Sequence, residues 1–373
     1  MALSSLALQK HLTPLRDPRR QHRRRHLLID IVTIAICAAL CGADSWPKVV
    51  KFGHRRRDWL QRFLRLPDGI PSHDTFERVF GLLDPAMFQR CFVDWTQTLR
   101  ETLGKEHIAI DGKTLRGSAA PTSGLGALHI VSAWATKANL TLGQVAVDEK
   151  SNEITAIPQL LAILDLKGAL VTIDAMGCQK EIAQKIVAGG GDYLLTVKDN
   201  QEGLADDIRA CFTRALDADF AGLEFDEYGT EEKGHGRVEK RHYTIMHDPE
   251  GIRSQELWAK LKVIGMCRSE RVVNGKTSEE VRYFIGSKRA GARYYGKALR
   301  DHWRVENSLH WRLDVVLGED ANRVQQRNAA ANLAALRRMV LNLLKRCPRD
   351  GSIACKQWEA ALDPDVLEEI LDG

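Results

Sequence analysis

Between residues 105 and 200 the chain reads as three strands, a helix, a strand, a helix and a strand, and few folds accommodate that order. The β-like runs cover 107–110, 129–136, 142–147, 170–173 and 193–197, each bounded by Gly, Asn or charged residues. Helical spacing of apolar residues occupies 154–164 and 179–188 between them. A three-strand meander continued by two crossovers builds a mixed sheet with helices against it.

The residues ahead of this block are helical in pattern: 27–41, 46–55, 57–64, 74–83 and 85–103, with a Pro67-Asp68-Gly69 turn and N-caps at Ser72 and Asp74. Here charge matters. The 373 residues carry 54 Lys+Arg against 49 Asp+Glu, a net charge of only +5. Through Lys105 the count is 18 basic to 10 acidic, or +8, leaving 36 to 39, or −3, for the rest. Two clusters concentrate the positive charge, Arg23-Arg24-Arg25 within the basic run 16–25, and Arg55-Arg56-Arg57. Arginine forks match phosphate oxygens, so both clusters are expected to contact nucleic-acid backbone.

The apolar run 31–43 behind Arg23-Arg24-Arg25 has the look of a signal peptide or a short membrane span. Its 13 residues fall short of the roughly 20 that a span requires, and Asp30 sits at its edge. A buried helix is expected instead, with no export and no membrane. Eight cysteines without a C-x-x-C pair read as reduced thiols of a cytosolic protein rather than zinc ligands or disulfides.

Strand-like patterns return over 220–287, at 223–228, 237–246, 262–273 and 281–285, with Asn274-Gly275 as a hairpin signal. Helical spacing follows over 294–317, 323–344 and 354–371. Five segments are therefore expected: 1–104 as a helical, DNA-binding N-terminal domain, and 105–219 as the first part of an RNase H-like core. A β-strand insertion spans 220–287, the second, helical part of the core 288–346, and a helical tail 347–373. The fold class is α/β, an RNase H-like core with a β-rich insertion, preceded by an all-α domain.

Two of the buried runs end alike, Ile108-Ala109-Ile110-Asp111-Gly112 and Val171-Thr172-Ile173-Asp174-Ala175. Sites in open sheets form at the carboxyl ends of strands. If the strands are neighbours the two carboxylates repel, and a divalent cation resolves the conflict; carboxylate oxygens suit Mg²⁺ or Mn²⁺. A third carboxylate is expected from the helical stretch where His302, Glu306, His310 and Asp314 recur at i+4 spacing. Glu306 is the choice, with Glu319 and Asp320 as rivals. Each Asp alone is as readily a turn residue, and a polar stripe is often a solvent face. Cys178 lacks a base, and Gly189-Gly190-Gly191 lacks the Lys and Ser/Thr of a phosphate-binding loop.

The stretches Ile110–Ser118, Thr172–Gln179, Val197–Gln201 and His302–Asp320 together resemble the DDE transposases of the ISAs-type insertion sequences, also called H-repeat-associated proteins. The resemblance runs from Pro71-Ser72-His73-Asp74-Thr75-Phe76 onward. It implies an Asp, Asp, Glu triad at Asp111, Asp174 and Glu306, two divalent ions per site, and metal-dependent cleavage and strand transfer at insertion-sequence ends. It also implies double-stranded DNA as partner, a homodimer in the active complex, and a cytoplasmic, nucleoid-associated location. Lys113, Arg116, Lys198, His235, Arg237, Arg304 and His310 become further candidates for contact with DNA. One departure stands out: related transposases carry Arg and Lys around the catalytic Glu where this chain has His302 and Leu313. A nuclease or resolvase without strand transfer, and a transposase-derived DNA-binding protein without catalysis, are the competing readings.

Overall fold

The computed structural model describes residues 7–100, 106–119, 121, 124, 126–147, 153–234 and 236–372, without the side chains of Ala7, Arg23 and Arg100. Up to residue 100 its regular elements are helices: α1 (Ala7–Leu12), α2 (Leu28–Leu40), α3 (Trp46–Arg55), α4 (Arg57–Leu60), α5 (His73–Leu82) and α6 (Pro85–Arg100). The apolar run that resembled a membrane span is α2. It lies in the core, and the carboxylate of Asp30 at its start accepts the backbone N–H of Leu66 at 2.9 Å. Among the described residues no helix is long and apolar enough to cross a membrane.

The sheet begins with β1 (His107–Leu115), β2 (Leu128–Ala135) and β3 (Leu140–Val147), then α7 (Glu153–Ile163), β4 (Leu170–Ile173), α8 (Lys180–Ala188), β5 (Asp192–Val197) and α9 (Glu202–Asp217). Four long strands follow, β6 (Phe225–Gly234), β7 (Arg237–His247), β8 (Val263–Val273) and β9 (Lys276–Gly286). All nine form one mixed sheet in the order β3-β2-β1-β4-β5-β9-β8-β7-β6. The later strands therefore extend the first sheet: β9 pairs antiparallel with β5, Leu195 opposite Ile285. Their hairpin at Asn274-Gly275 has φ of 50° and 76°, the left-handed pair that a two-residue turn demands.

The remaining helices are α10 (Ala292–His302), a π turn at Glu306–His310, α11 (Trp311–Val315), α12 (Arg327–Arg346), α13 (Ile353–Leu362) and α14 (Pro364–Asp372). Two expected helices are thus interrupted. The tail divides at Asp363, because Pro364 disfavours a helical residue before it. The segment 294–317 is broken by the π turn, whose consequence is described below.

Apolar side chains of α7, α8 and α9 cover one face of β1, β4 and β5. A second cluster joins α2, α5 and α6 to α12, α13 and α14, so the tail packs into the N-terminal helices. The common element is α12, whose buried polar groups clamp both sides. Asn332 Nδ2 donates to the carbonyls of Phe80 and Leu83 at 2.9 and 3.0 Å. Asn342 closes a two-way bond with the backbone of Thr141 at 2.9 and 2.8 Å. Arg338 pairs with Glu319 at 2.7 Å, both fully buried. All eight cysteines are free thiols.

Candidate metal centre

Strands β1 and β4 are parallel neighbours, with Ile110 opposite Ile173 as the last pair. The next register step brings Asp111 and Asp174 side by side at the edge where β4 ends. Asp111 is not itself a strand terminus, since β1 continues against β2 to Leu115. Asp174 caps the following turn, its Oδ1 accepting the N–H of Met176 at 3.1 Å.

Across this edge runs the chain from α10 to α11. In an ideal α-helix residues four apart overshoot one turn by about 40°, so the expected stripe of His302, Glu306, His310 and Asp314 would spiral by about 120°. The π turn takes up an extra residue, and the stripe stays straight against the sheet. His302 Nδ1 lies 2.9 Å from Thr172 Oγ1, which lies 2.8 Å from His107 Nε2. His310 Nε2 is 2.9 Å from Asp111 Oδ2. Asp314 accepts from Lys113 Nζ at 2.5 Å.

Asp111, Glu306 and His310 each offer a ligand atom within 4.8 Å of the others, the one such metal-competent group among the described residues. Glu306 is exposed, Asp111 half-buried and His310 buried. Asp174 stands beside this group rather than within it. His310, expected at DNA, thus joins the acids, and its buried Nδ1 has no hydrogen-bond partner among the described residues.

The two aspartates sit in opposite electrostatic settings. Burial pushes Asp111 up, but the His310 hydrogen bond, with the charges of His310 and His302 behind it, outweighs that and holds it below the usual carboxylate range. Burial raises Asp174, and the charges of Glu153 and Asp111 raise it further. His107 is pushed down to about 3, by burial first and then by the neighbouring His302.

Glu153 is a buried carboxylate that pattern reading missed. It pairs with His129 Nε2 at 3.2 Å, and a Cβ on Gly112 would sit 2.3 Å from that nitrogen. The glycine after Asp111 is therefore dictated by packing against this pair. The only available signal was an acid immediately before an apolar helical run. The rivals Glu319 and Asp320 are occupied elsewhere, Glu319 by Arg338 and Asp320 by Lys113 at 3.1 Å.

Several arginines and lysines expected at DNA are also occupied. Lys113 is buried among Asp314, Glu319 and Asp320. Arg24 donates to the carbonyls of Arg19 and Asp17, and Arg56 to those of Ala361 and Leu362. Arg25, Arg55, Arg57, Arg116 and Arg304 remain exposed. His235 and the side chain of Arg23 lie outside the described residues.

Beside Asp174 a cleft of about 430 Å³ runs between α10 and the face of β5, β9, β8 and β7. Lys198, Arg237, Arg241, Arg271, Arg282 and Arg300 line it. Arg241 pairs with Glu232 and Glu239, Arg282 with Glu280, and Arg300 with Glu232. Arg282 also stacks over Trp303, 5.3 Å from the ring centroid. Lys198, Arg237 and Arg271 have no ion-pair partner among the described residues.

The family described as "Transposase DDE domain" matches residues 102–343, and "DDE_Tnp_1-associated" matches 9–96. "Putative transposase YncI" of Escherichia coli O157:H7 is 40% identical, over 99% of this chain and 95% of its own length. "H repeat-associated putative transposase YhhI" of Escherichia coli K12 is 39% identical over 98% of both chains. "Inactive transposase YbfQ" of the same strain is 36% identical over 19% of this chain and 86% of its own length. A solved piggyBac transposase synaptic complex with hairpin DNA covers 95% of this chain and 76% of its own at 10% identity. Its TM-score of 0.38 is too low to carry weight.

Proposed function

The chain belongs to the DDE transposases of the H-repeat-associated kind, and on that premise we propose that it binds insertion-sequence ends and carries out metal-dependent DNA cleavage and strand transfer. The observation that carries this reading is the convergence of Asp111, Glu306 and His310 within 4.8 Å, one register step from Asp174. The strand order β3-β2-β1-β4-β5 supports an RNase H-like core as its framework.

Hard carboxylate oxygens with one imidazole suit Mg²⁺ and, better, Mn²⁺. The unpartnered buried Nδ1 of His310 and the mutual repulsion of Asp174 and Asp111 fit a site built for cations. Asp111, Asp174 and Glu306 would hold two ions, with His310 either ligating or steadying Asp111. Bound there, such ions supply activation of the attacking oxygen and neutralisation of charge on the departing one.

The protein's own part is positioning and charge. The Met176 N–H fixes the Asp174 carboxylate. His310 keeps Asp111 ionised. Lys198, Arg237 and Arg271 in the cleft, with exposed Arg25, Arg55 and Arg57, are candidate cations for phosphate, as are Arg116 and Arg304, which are exposed but pair with Asp320 and Asp301. Lys113, Arg24 and Arg56 serve the fold instead. We extend the reading to a homodimer on paired ends, to a cytoplasmic, nucleoid-associated location, and to the division of the chain at 104, 219, 287 and 346.

The test uses labelled DNA carrying the element's terminal repeats. Wild-type protein with Mg²⁺ should nick the ends and join a pre-cleaved 3′-hydroxyl to a second duplex. Full cleavage by Asp111→Asn would overturn the site; nicking without joining would leave a nuclease.

A further inference from the structure

We propose that Lys345 is a positioning residue for the metal centre: its ammonium holds the π turn Glu306–His310 in register and so sets Glu306 and His310 against Asp111. The inference rests on the reading of these residues as cation ligands.

A π turn has looser hydrogen bonds than the α-helix around it, and most occur as single insertions at functional sites. Such a turn can slip back to α geometry, which here would rotate the residues on one side of it by about 100° relative to the other. His302 and Thr172 anchor one side at β4, and Asp314 and Lys113 anchor the other at β1. Between these anchors His310 meets Asp111 at the C-terminal end of the turn, while Glu306 at its other end is exposed and has no hydrogen-bond or ion-pair partner among the described residues, so its place depends on how the turn backbone is held.

Lys345 supplies that hold. Its Nζ donates at 2.8 Å to the carbonyl of Ser308, the middle residue of the turn. It also donates at 2.9 Å to Asn139 Oδ1 in the turn between β2 and β3, and sits 6.0 Å from the Trp134 ring centroid. The amine thus ties α12 and the meander to the one backbone segment that carries two of the three clustered ligands. Among the described residues no carboxylate pairs with it, and burial, followed by the charge of Arg312, pushes it down to about 7. An apolar residue would fill the same space without that desolvation cost. What it would lack is a donor for the Ser308 carbonyl.

The experiment is Mn²⁺ binding to the intact protein without DNA, followed by electron paramagnetic resonance, for wild type, Lys345→Met, Glu306→Gln and the double variant. Lys345→Met should weaken Mn²⁺ binding about tenfold, as loss of an outer support typically does. Its effect should largely vanish in the Glu306→Gln background, because both changes act on one interaction. Asn139→Gly is the milder companion: glycine suits the φ of 58° there and keeps the fold, while one acceptor is lost. It should weaken binding about threefold, less than the tenfold loss of a complete outer support. Unchanged affinity in both, or additive losses with Glu306→Gln, would overturn the proposal. If wild type binds no more tightly than Glu306→Gln, the metal reading and this proposal fall together.

Discussion

The two halves of the nine-stranded sheet obey different rules. In β3-β2-β1-β4-β5 both faces are covered, β2 is buried along its whole length, and charge is paired out of solvent, as in the fully buried Arg338–Glu319 pair. In β6 to β9 the distal strand ends are polar on both faces, and charges meet in partly exposed pairs. The candidate metal centre belongs to the first half and the cationic cleft mostly to the second. Buried pairing thus lies on the side of the candidate metal centre, and exposed charge on the side of the cationic cleft.

The contrast can be broken most severely in the covered half. Arg338→Met leaves Glu319 buried without its partner and should cost about 3–5 kcal/mol, measured as lost folded yield and lowered Tm. Adding Glu319→Leu should restore much of that loss. If the single variant unfolds like wild type, the inner half is less constrained than its geometry implies.

Glu306→Gln should act on chemistry and spare the fold, because the side chain is exposed. A drop in metal-dependent end cleavage of about 10²–10³ is expected, the scale of losing one transition-state contact. Binding of ends without metal should be unchanged in a gel-shift assay.

In the exposed half, Arg237→Ala with Arg271→Ala should lower DNA affinity for all sequences alike. The plot of log affinity against log salt should become shallower by about two, with Tm essentially unmoved. A fall in Tm instead would mean that the outer strands depend on these cations for folding.

Asp174→Asn should have the smallest effect and the opposite sign. A carboxyl whose pKa is raised in the fold destabilises it while ionised, so the amide should raise Tm by about 2 °C at neutral pH without divalent metal. The gain should shrink as pH falls through the raised value and vanish below the ordinary 3.8, where Asp174 is neutral in both states. Asp111, held low, runs the other way: its stabilisation is present at neutral pH and lost on acidification through its lowered value.

Much of the architecture was legible in local pattern. The alternation of β-like and helical runs between 107 and 197, the Asn274-Gly275 hairpin and the burial of the apolar run near residue 31 are local properties, set by side-chain periodicity and turn chemistry. The pairing of Asp111 with Asp174 could be anticipated because equivalent positions at the ends of two buried strands imply it, although the strands' adjacency is a tertiary fact.

What periodicity could not supply was which charges are spent inside. Lys113 and Arg56 look like the other basic residues in one dimension, but each meets its partners only when distant segments pack. The π turn is equally invisible: an i+4 stripe reads as α-helix, and the anchors that flank the extra residue, at Thr172 and Lys113, are tertiary contacts. By itself the sequence determined most of the elements and which residues are candidates for chemistry, because these follow from neighbours along the chain. The tertiary structure alone decided that His310 joins the acids, that Glu153 lies beneath Gly112, and that α12 unites the two ends of the molecule, because those contacts bring together residues far apart in sequence.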